Sequence, residues 1–260
     1  MSLLAIDVGN TRLKWALYEG NVASAHASLL TTDATDIRVL AREWQALQPT
    51  AAIVSNVAGV AISAAIHEVL SKKNIAPQFI ASIPSQCGVT NGYDNPSQLG
   101  TDRWAALIGA HQAAPLHTAK VVVMAGTALT VDALTADGQF LGGIIIPGLG
   151  VMRQALHLRT AQLPLENGQF QMFPTNTLDA IASGAIEASI GAIYRMVALL
   201  GERMSEHDGA PTIIASGGAL ALLAPHAPFP LTIHENLVLE GLLHIAIAAD
   251  EKTNWQTNKT

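Results

Sequence analysis

The chain has 260 residues, half of them apolar and 13% charged, with a formal net charge of −6. That composition excludes extensive disorder, and the lack of a dense Lys/Arg stripe excludes a nucleic-acid backbone as partner. A single cysteine, Cys87, excludes an internal disulfide and fits a reducing compartment; no apolar run reaches the roughly 18 residues of a membrane span and no signal peptide precedes Asp7, so a soluble cytoplasmic protein without membrane contact is expected.

In chain order, Leu3 to Val8 predicts a buried strand feeding a tight turn at Asp7-Val8-Gly9-Asn10-Thr11. Arg12 to Tyr18 alternates with a period of two, placing Leu13, Trp15 and Leu17 on one face. Glu19-Gly20-Asn21 is a turn signal, and Val22 to Leu29 predicts a third strand. Helices are expected over 36–47 and 60–73, with strands at 52–54 and 78–81. Pro84, Gly88, Gly92, Asn95 and Pro96 mark 83–97 as a long loop, and a helix is expected from about 102 to 114. The pattern then restarts. Strands are predicted at 121–124, 129–134 and 140–146, with a hairpin signal at Asp137-Gly138. A helix at 149–158, a loop to Pro174, a long helix over 177–203, a strand at 211–215 and a last periodic segment over 236–249 complete the chain. The tail from Asp250 is polar and is expected to fray.

The two openings resemble each other. Each runs from a strand through a glycine turn (Gly9-Asn10-Thr11 or Gly126-Thr127-Ala128) into a strand, a second glycine turn and another strand. Such internal similarity predicts two duplicated subdomains, 1–115 and 116–250, followed by a tail at 251–260. The duplication resembles the actin, sugar-kinase and heat-shock-chaperone superfamily. The resemblance implies an α/β fold of two actin-like (ribonuclease H-like) subdomains with a nucleotide cleft between them.

Each motif has a functional reading and a plain one. In the first, Gly9 lets backbone approach a phosphate, Asn10 and Thr11 supply donors, and Lys14 neutralises charge. Asp7 is itself anionic, so it would act through Mg²⁺ or its waters. The plain reading is a strand ending in a turn. In the second, Gly126-Thr127-Ala128-Leu129-Thr130, backbone N–H groups at the turn and the Thr127 hydroxyl would hold terminal phosphates, or the segment marks another strand turn. In the third, Gly100-Thr101-Asp102-Arg103 combines a carboxylate for a hydroxyl proton with a cation at a helix start, yet Thr101 or Asp102 is also a good N-cap. Gly217-Gly218 could approach an adenine or ribose, or simply turn the chain. Gly148-Leu149-Gly150 is a faint phosphate-loop echo. No Walker A sequence is present, and the nine histidines show no metal-ligand spacing. Cys87 is read as a partly buried spectator rather than a nucleophile.

Taken in order, these motifs resemble those of type III pantothenate kinases from Asp7 to Gly218. The resemblance implies an enzyme that moves the ATP γ-phosphoryl group to the primary hydroxyl of pantothenate, giving 4′-phosphopantothenate for coenzyme A synthesis. It implies that Asp7, Val8, Gly9, Asn10, Thr11, Lys14, Gly126, Thr127, Gly217 and Gly218 bind ATP. It makes Asp102 the general base and gives Tyr93, Gly100, Thr101, Arg103 and Thr177 to pantothenate. Gly142 to Gly148 also matches. The family's members form homodimers, and the apolar helix over 177–203 is either such a surface or a core helix. There is one departure. Many members carry an aspartate two residues before the second Gly-Thr, where it binds K⁺ or NH₄⁺; this chain has Met124, a poor ligand for an ion that wants oxygen. Backbone carbonyls could hold the cation instead, or the site is absent. Two rivals stand beside the kinase: a non-catalytic accessory protein on the same fold, and a kinase for another small alcohol or carboxylate.

Overall fold

The computed structural model describes residues 2–30, 34–160, 168–205 and 209–257. The chain divides into two compact units. The first comprises Met1–Ala113 with Asn236–Thr260, and the second Ala114–Glu235. These boundaries differ from the expected 115/116 and 250/251 because the chain returns to the first unit at Asn236.

The first unit holds strands β1 (Ser2–Val8), β2 (Arg12–Glu19), β3 (Val22–Leu30), β4 (Ala51–Asn56) and β5 (Gln78–Phe79), and helices α1 (Ala34–Leu47) and α2 (Val60–Ser71). The region expected to be a plain loop contains a hairpin, β6 (Ser85–Gln86) and β7 (Val89–Thr90). Helix α3 (Thr101–Gln112) follows it. The sheet order is β3-β2-β1-β4-β5. β1 pairs antiparallel with β2 and parallel with β4. Alternation sorts the two faces. Leu4, Ile6, Val8, Leu13, Trp15, Leu17, Ala52 and Val54 form one core with Ile37, Leu40 and Trp44 of α1 and Ile62, Ile66 and Val69 of α2. Each Leu, Ile or Val side chain among these, once buried, contributes about 1.5–3 kcal/mol.

The second unit repeats the plan. Strands β8 (Lys120–Ala125), β9 (Ala128–Leu134), β10 (Phe140–Pro147), β11 (Thr212–Ser216) and β12 (Thr232–Ile233) take the order β10-β9-β8-β11-β12. Helices α4 (Leu149–Arg159), α5 (Thr177–Gly201) and α6 (Leu220–Leu223) complete it. The strand order therefore matches that of the first sheet position by position, as the internal repeat predicts. Segment 161–167, inside the expected loop to Pro174, lies outside the described residues. Helix α5 has the length and hydropathy of a membrane span, but Ala185, Ile186, Ile190, Ile193 and Leu200 put that character into the core against Val121, Val123 and Val131.

Helix α7 (Leu237–Thr257) closes the first unit. It runs seven residues beyond Asp250, so the expected frayed tail is helical through Thr257. It packs on α3 through two glycines. A Cβ on Gly241 would lie 1.9 Å from the Ala105 carbonyl oxygen, and one on Gly109 would lie 2.4 Å from that of Leu237. Only glycine lets the two helix backbones approach so closely, which fixes α3, and with it Asp102, on its sheet.

Candidate active site

The first turn forms where β1 ends. The Gly9 N–H donates to the Arg12 carbonyl at 3.0 Å, closing the hairpin. Asn10 and Thr11 stand exposed at its tip. Val8 points the other way: its side chain is fully buried in the core, and its carbonyl accepts from the Val57 N–H at 3.0 Å. On the face opposite that core, register sets Lys14 of β2 and Ser55 of β4 on either side of Asp7. Asp7 Oδ1 is buried and has no hydrogen-bond partner among the described residues. Burial first, and then the charge of Asp102, push the Asp7 carboxyl up to about 7, against the opposing pull of Lys14.

Asp102 reaches this row from the start of α3. Neither Thr101 nor Asp102 is the N-cap; Gly100 is. A Cβ at Gly100 would lie 2.6 Å from Asp102 Oδ1, so the glycine leaves room for the carboxylate. Asp102 Oδ1 accepts from the Arg103 N–H at 2.8 Å, which fixes the carboxylate at the positive end of the helix. Thr101 and Ser55 share a hydroxyl–hydroxyl bond of 3.0 Å, tying the helix start to the strand that flanks Asp7. Sequence reasoning passed over Ser55; its one signal is a hydroxyl at the end of an otherwise apolar strand. Arg103 is 5% exposed. It donates to the Tyr93 hydroxyl at 2.8 Å, and its guanidinium stands 5.6 Å from the ring centre. Asp7, Lys14, Tyr93, Gly100, Thr101, Asp102 and Arg103 thus gather at one end of the first sheet.

The second unit gathers three glycine turns at the equivalent end of its own sheet. The Gly126 N–H donates to the Ala128 carbonyl at 3.0 Å, and the Gly148 N–H to the Thr127 carbonyl at 2.9 Å. A Cβ on Gly148 would lie 2.2 Å from the Gly126 carbonyl oxygen. Gly217 has φ of +116°, and a Cβ there would lie 2.2 Å from the Ala125 carbonyl oxygen. Gly148, read from sequence as part of a faint echo and of the matching Gly142–Gly148 segment, is the piece that packs β10 onto the Gly126-Thr127 turn. Gly218 faces open space, and Thr127 is exposed. Gly143 belongs to a different contact, since a Cβ there would collide with the buried Asp132 on β9. Thr177 opens α5. Asn176 caps that helix by accepting from the Asp179 N–H at 3.0 Å, and Thr177 lines a groove of about 920 Å³ with Met152, Arg153, Leu156 and Ile181. Cys87 sits at the tip of the β6–β7 hairpin with φ of +52°, and its thiol donates to the His244 carbonyl at 3.6 Å.

Two sheets of one order, each ending in a glycine turn beside polar side chains, define a duplicated α/β fold of the actin-like class. Solved structures agree on the fold. A protein from Sinorhizobium meliloti described as a 2-dehydro-3-deoxygalactonokinase superposes with a TM-score of 0.60 at 14% identity, covering 95% of this chain and 98% of that one. A Baf family transcriptional activator from Campylobacter jejuni gives 0.58 at 21% identity over 95% and 99%. The family model of type III pantothenate kinases matches residues 3–199. Curated relatives named type III pantothenate kinase include those of Nitrosospira multiformis, 43% identical over 96% of this chain and 92% of that protein, and Methylibium petroleiphilum, 44% identical over 95% and 98%. The chain belongs to the type III pantothenate kinase family, whose members phosphorylate pantothenate with ATP on the way to coenzyme A.

Proposed function

We propose that Asp102 is the general base of this reaction, taking or orienting the proton of the pantothenate primary hydroxyl as the γ-phosphoryl group of ATP is transferred to it. One observation carries the reading: a buried carboxylate oxygen of Asp7 without a partner, beside a second carboxylate fixed at a helix start. Asp102 Oδ1 is engaged by the Arg103 N–H, so Oδ2 is the oxygen that meets the substrate. Arg103 and Tyr93, already joined, present one charged and one aromatic surface to the acceptor, and Gly100 leaves the approach open.

The orphaned Asp7 oxygen fits Mg²⁺, a hard cation that takes carboxylate and water oxygens. When bound, Mg²⁺ would neutralise phosphate charge. The neighbouring Lys14 adds to that neutralisation. The N–H groups of Gly9 and Gly126 are spent closing their turns, so donors to phosphate fall to Asn10, Thr11 and Thr127, while the glycines keep the backbone bare. The Met124 thioether itself gives a monovalent cation no oxygen ligand. Register flanks this thioether with the hydroxyls of Thr130 and Ser216 rather than a carboxylate, and the buried Thr130 hydroxyl has no hydrogen-bond partner among the described residues. The enzyme acts in the cytoplasm as a homodimer joined across α4, α5 and the segment just before α5, where Leu156, Leu158, Met172, Phe173 and Tyr194 are exposed.

The test is ADP release by the purified protein with Mg-ATP, with and without pantothenate, alongside size measurement by light scattering. Pantothenate-dependent release is expected. Nucleotide binding with no turnover of any alcohol would remove the catalytic reading.

A further inference from the structure

We infer that Asn91 is a positioning residue for the acceptor, holding Tyr93 where it can orient Arg103. The inference rests on the reading of Tyr93 and Arg103 as acceptor contacts. Asn91 is 8% exposed, an unusual place for a carboxamide unless its polar atoms are satisfied. They are satisfied by backbone on three sides. Nδ2 donates to the Ile83 carbonyl at 3.5 Å and to the Pro96 carbonyl at 3.3 Å. Oδ1 accepts from the Tyr93 N–H at 3.1 Å. The backbone N–H of Asn91 donates to the Pro84 carbonyl at 2.9 Å.

One side chain therefore gathers both ends of the segment that leads into α3. Two carbonyls and one N–H need two donors and one acceptor on a single short stem, and among the genetically encoded side chains of this length only asparagine supplies both. Aspartate would set a carboxylate oxygen against two carbonyl oxygens; leucine would leave all three groups unpaired. The bond to the Tyr93 N–H matters most for function. It fixes the backbone two residues from Asn91, which aims the Tyr93 hydroxyl at the guanidinium 2.8 Å away. The Trp104 indole N–H, donating to Gln86 at 3.1 Å, anchors the preceding hairpin to the same helix. What remains adjustable in the segment is the placement of Tyr93, and Asn91 removes that freedom. Asn91 touches no reacting group in this scheme; its effect passes through Tyr93 and Arg103.

The experiment is a double-mutant cycle on the full-length kinase with Asn91→Ala, Tyr93→Phe and the pair, reading kcat, the KM for pantothenate, the KM for ATP and thermal stability. Asn91→Ala and Tyr93→Phe are each expected to raise the pantothenate KM by about 10-fold, the scale of a lost hydrogen bond on a charged group. The ATP KM should stay within about two-fold, and the pair should be no worse than the larger single change, because both act on one contact. Should Asn91→Ala not fold, Asn91→Val, which fills more of the space and still withdraws the acceptor from the Tyr93 N–H, enters the same cycle with the same readouts. Multiplying effects, an unchanged pantothenate KM in the Asn91 variant, or equal rises in both KM values would overturn the inference while leaving the acceptor site standing. An unchanged pantothenate KM in Tyr93→Phe alone would overturn the acceptor reading itself, and the role of Asn91 with it.

Discussion

The same row of the same sheet carries different chemistry in the two units. In the first, register aligns Lys14, Asp7 and Ser55; in the second it aligns Thr130, Met124 and Ser216. Asp7 and Met124 each stand two residues before the turn glycine. The flanking serines keep a structural task in both copies: Ser55 bonds Thr101, and Ser216 donates to the Glu235 carbonyl at 3.3 Å. The central residue is where the copies part. Asp7 is a buried carboxylate whose pKa is raised to about 7 by burial and by Asp102. Met124 can neither ionise nor attract a cation strongly. Duplication supplied two equivalent frames, and the difference teaches that at this row only the first carries charge, while the second offers bare backbone at its glycine turns.

The comparison breaks most sharply at Asp102. Asp102→Asn should lower kcat by about 10²–10⁴-fold with ATP binding kept, the scale of a general base, whereas Met124→Leu in the second row should change it little. Steady-state kinetics with nucleotide titration decides between them, and near-normal turnover of the asparagine variant removes Asp102 from the role. Next in size is the second unit's own contribution. Gly148→Ala forces a Cβ into the Gly126-Thr127 turn, and a shift of about 1 Å there should cost roughly 10²-fold in kcat/KM for ATP. An unchanged ATP dependence would mean that this turn does not meet the phosphates.

A structural change sharpens the contrast from another side. Gly241→Ala pushes α7 off α3 and should destabilise the protein by about 1–3 kcal/mol, as overpacking does, read by chemical denaturation. Asp7→Asn tests the charge itself. The Asp7 carboxyl is raised in the folded state, so its ionisation costs stability: nothing below the unfolded value of about 4, increasingly up to about pH 7, and constantly above that. The asparagine variant should thus gain melting temperature over wild type at pH 8 but not at pH 3.5 when metal and nucleotide are absent. A gain that does not grow with pH would show that Asp7 is not held near pH 7. The smallest effect is expected from salt. Exchanging K⁺ for Na⁺ at constant ionic strength should alter turnover by less than about two-fold, because the Met124 row offers no carboxylate to K⁺. A strong K⁺ requirement would place that ion elsewhere.

Sequence alone determined the duplicated plan, because period-two runs bounded by glycine turns leave little choice about where strands begin and end. It also determined the family, through Gly-Thr turns and the Gly100-Thr101-Asp102-Arg103 segment in their order. Tertiary structure decided the rest. That Val8 faces the core while Asp7 faces Asp102 follows from which side of β1 the helices cover. That α7 belongs to the first unit follows from Gly109 and Gly241 meeting across more than a hundred residues of chain. The parts played by Ser55, Asn91 and Gly148 were illegible for one reason: each acts through a hydrogen bond or a close backbone contact to a segment distant in sequence, and local pattern carries no record of partners that only folding brings within reach.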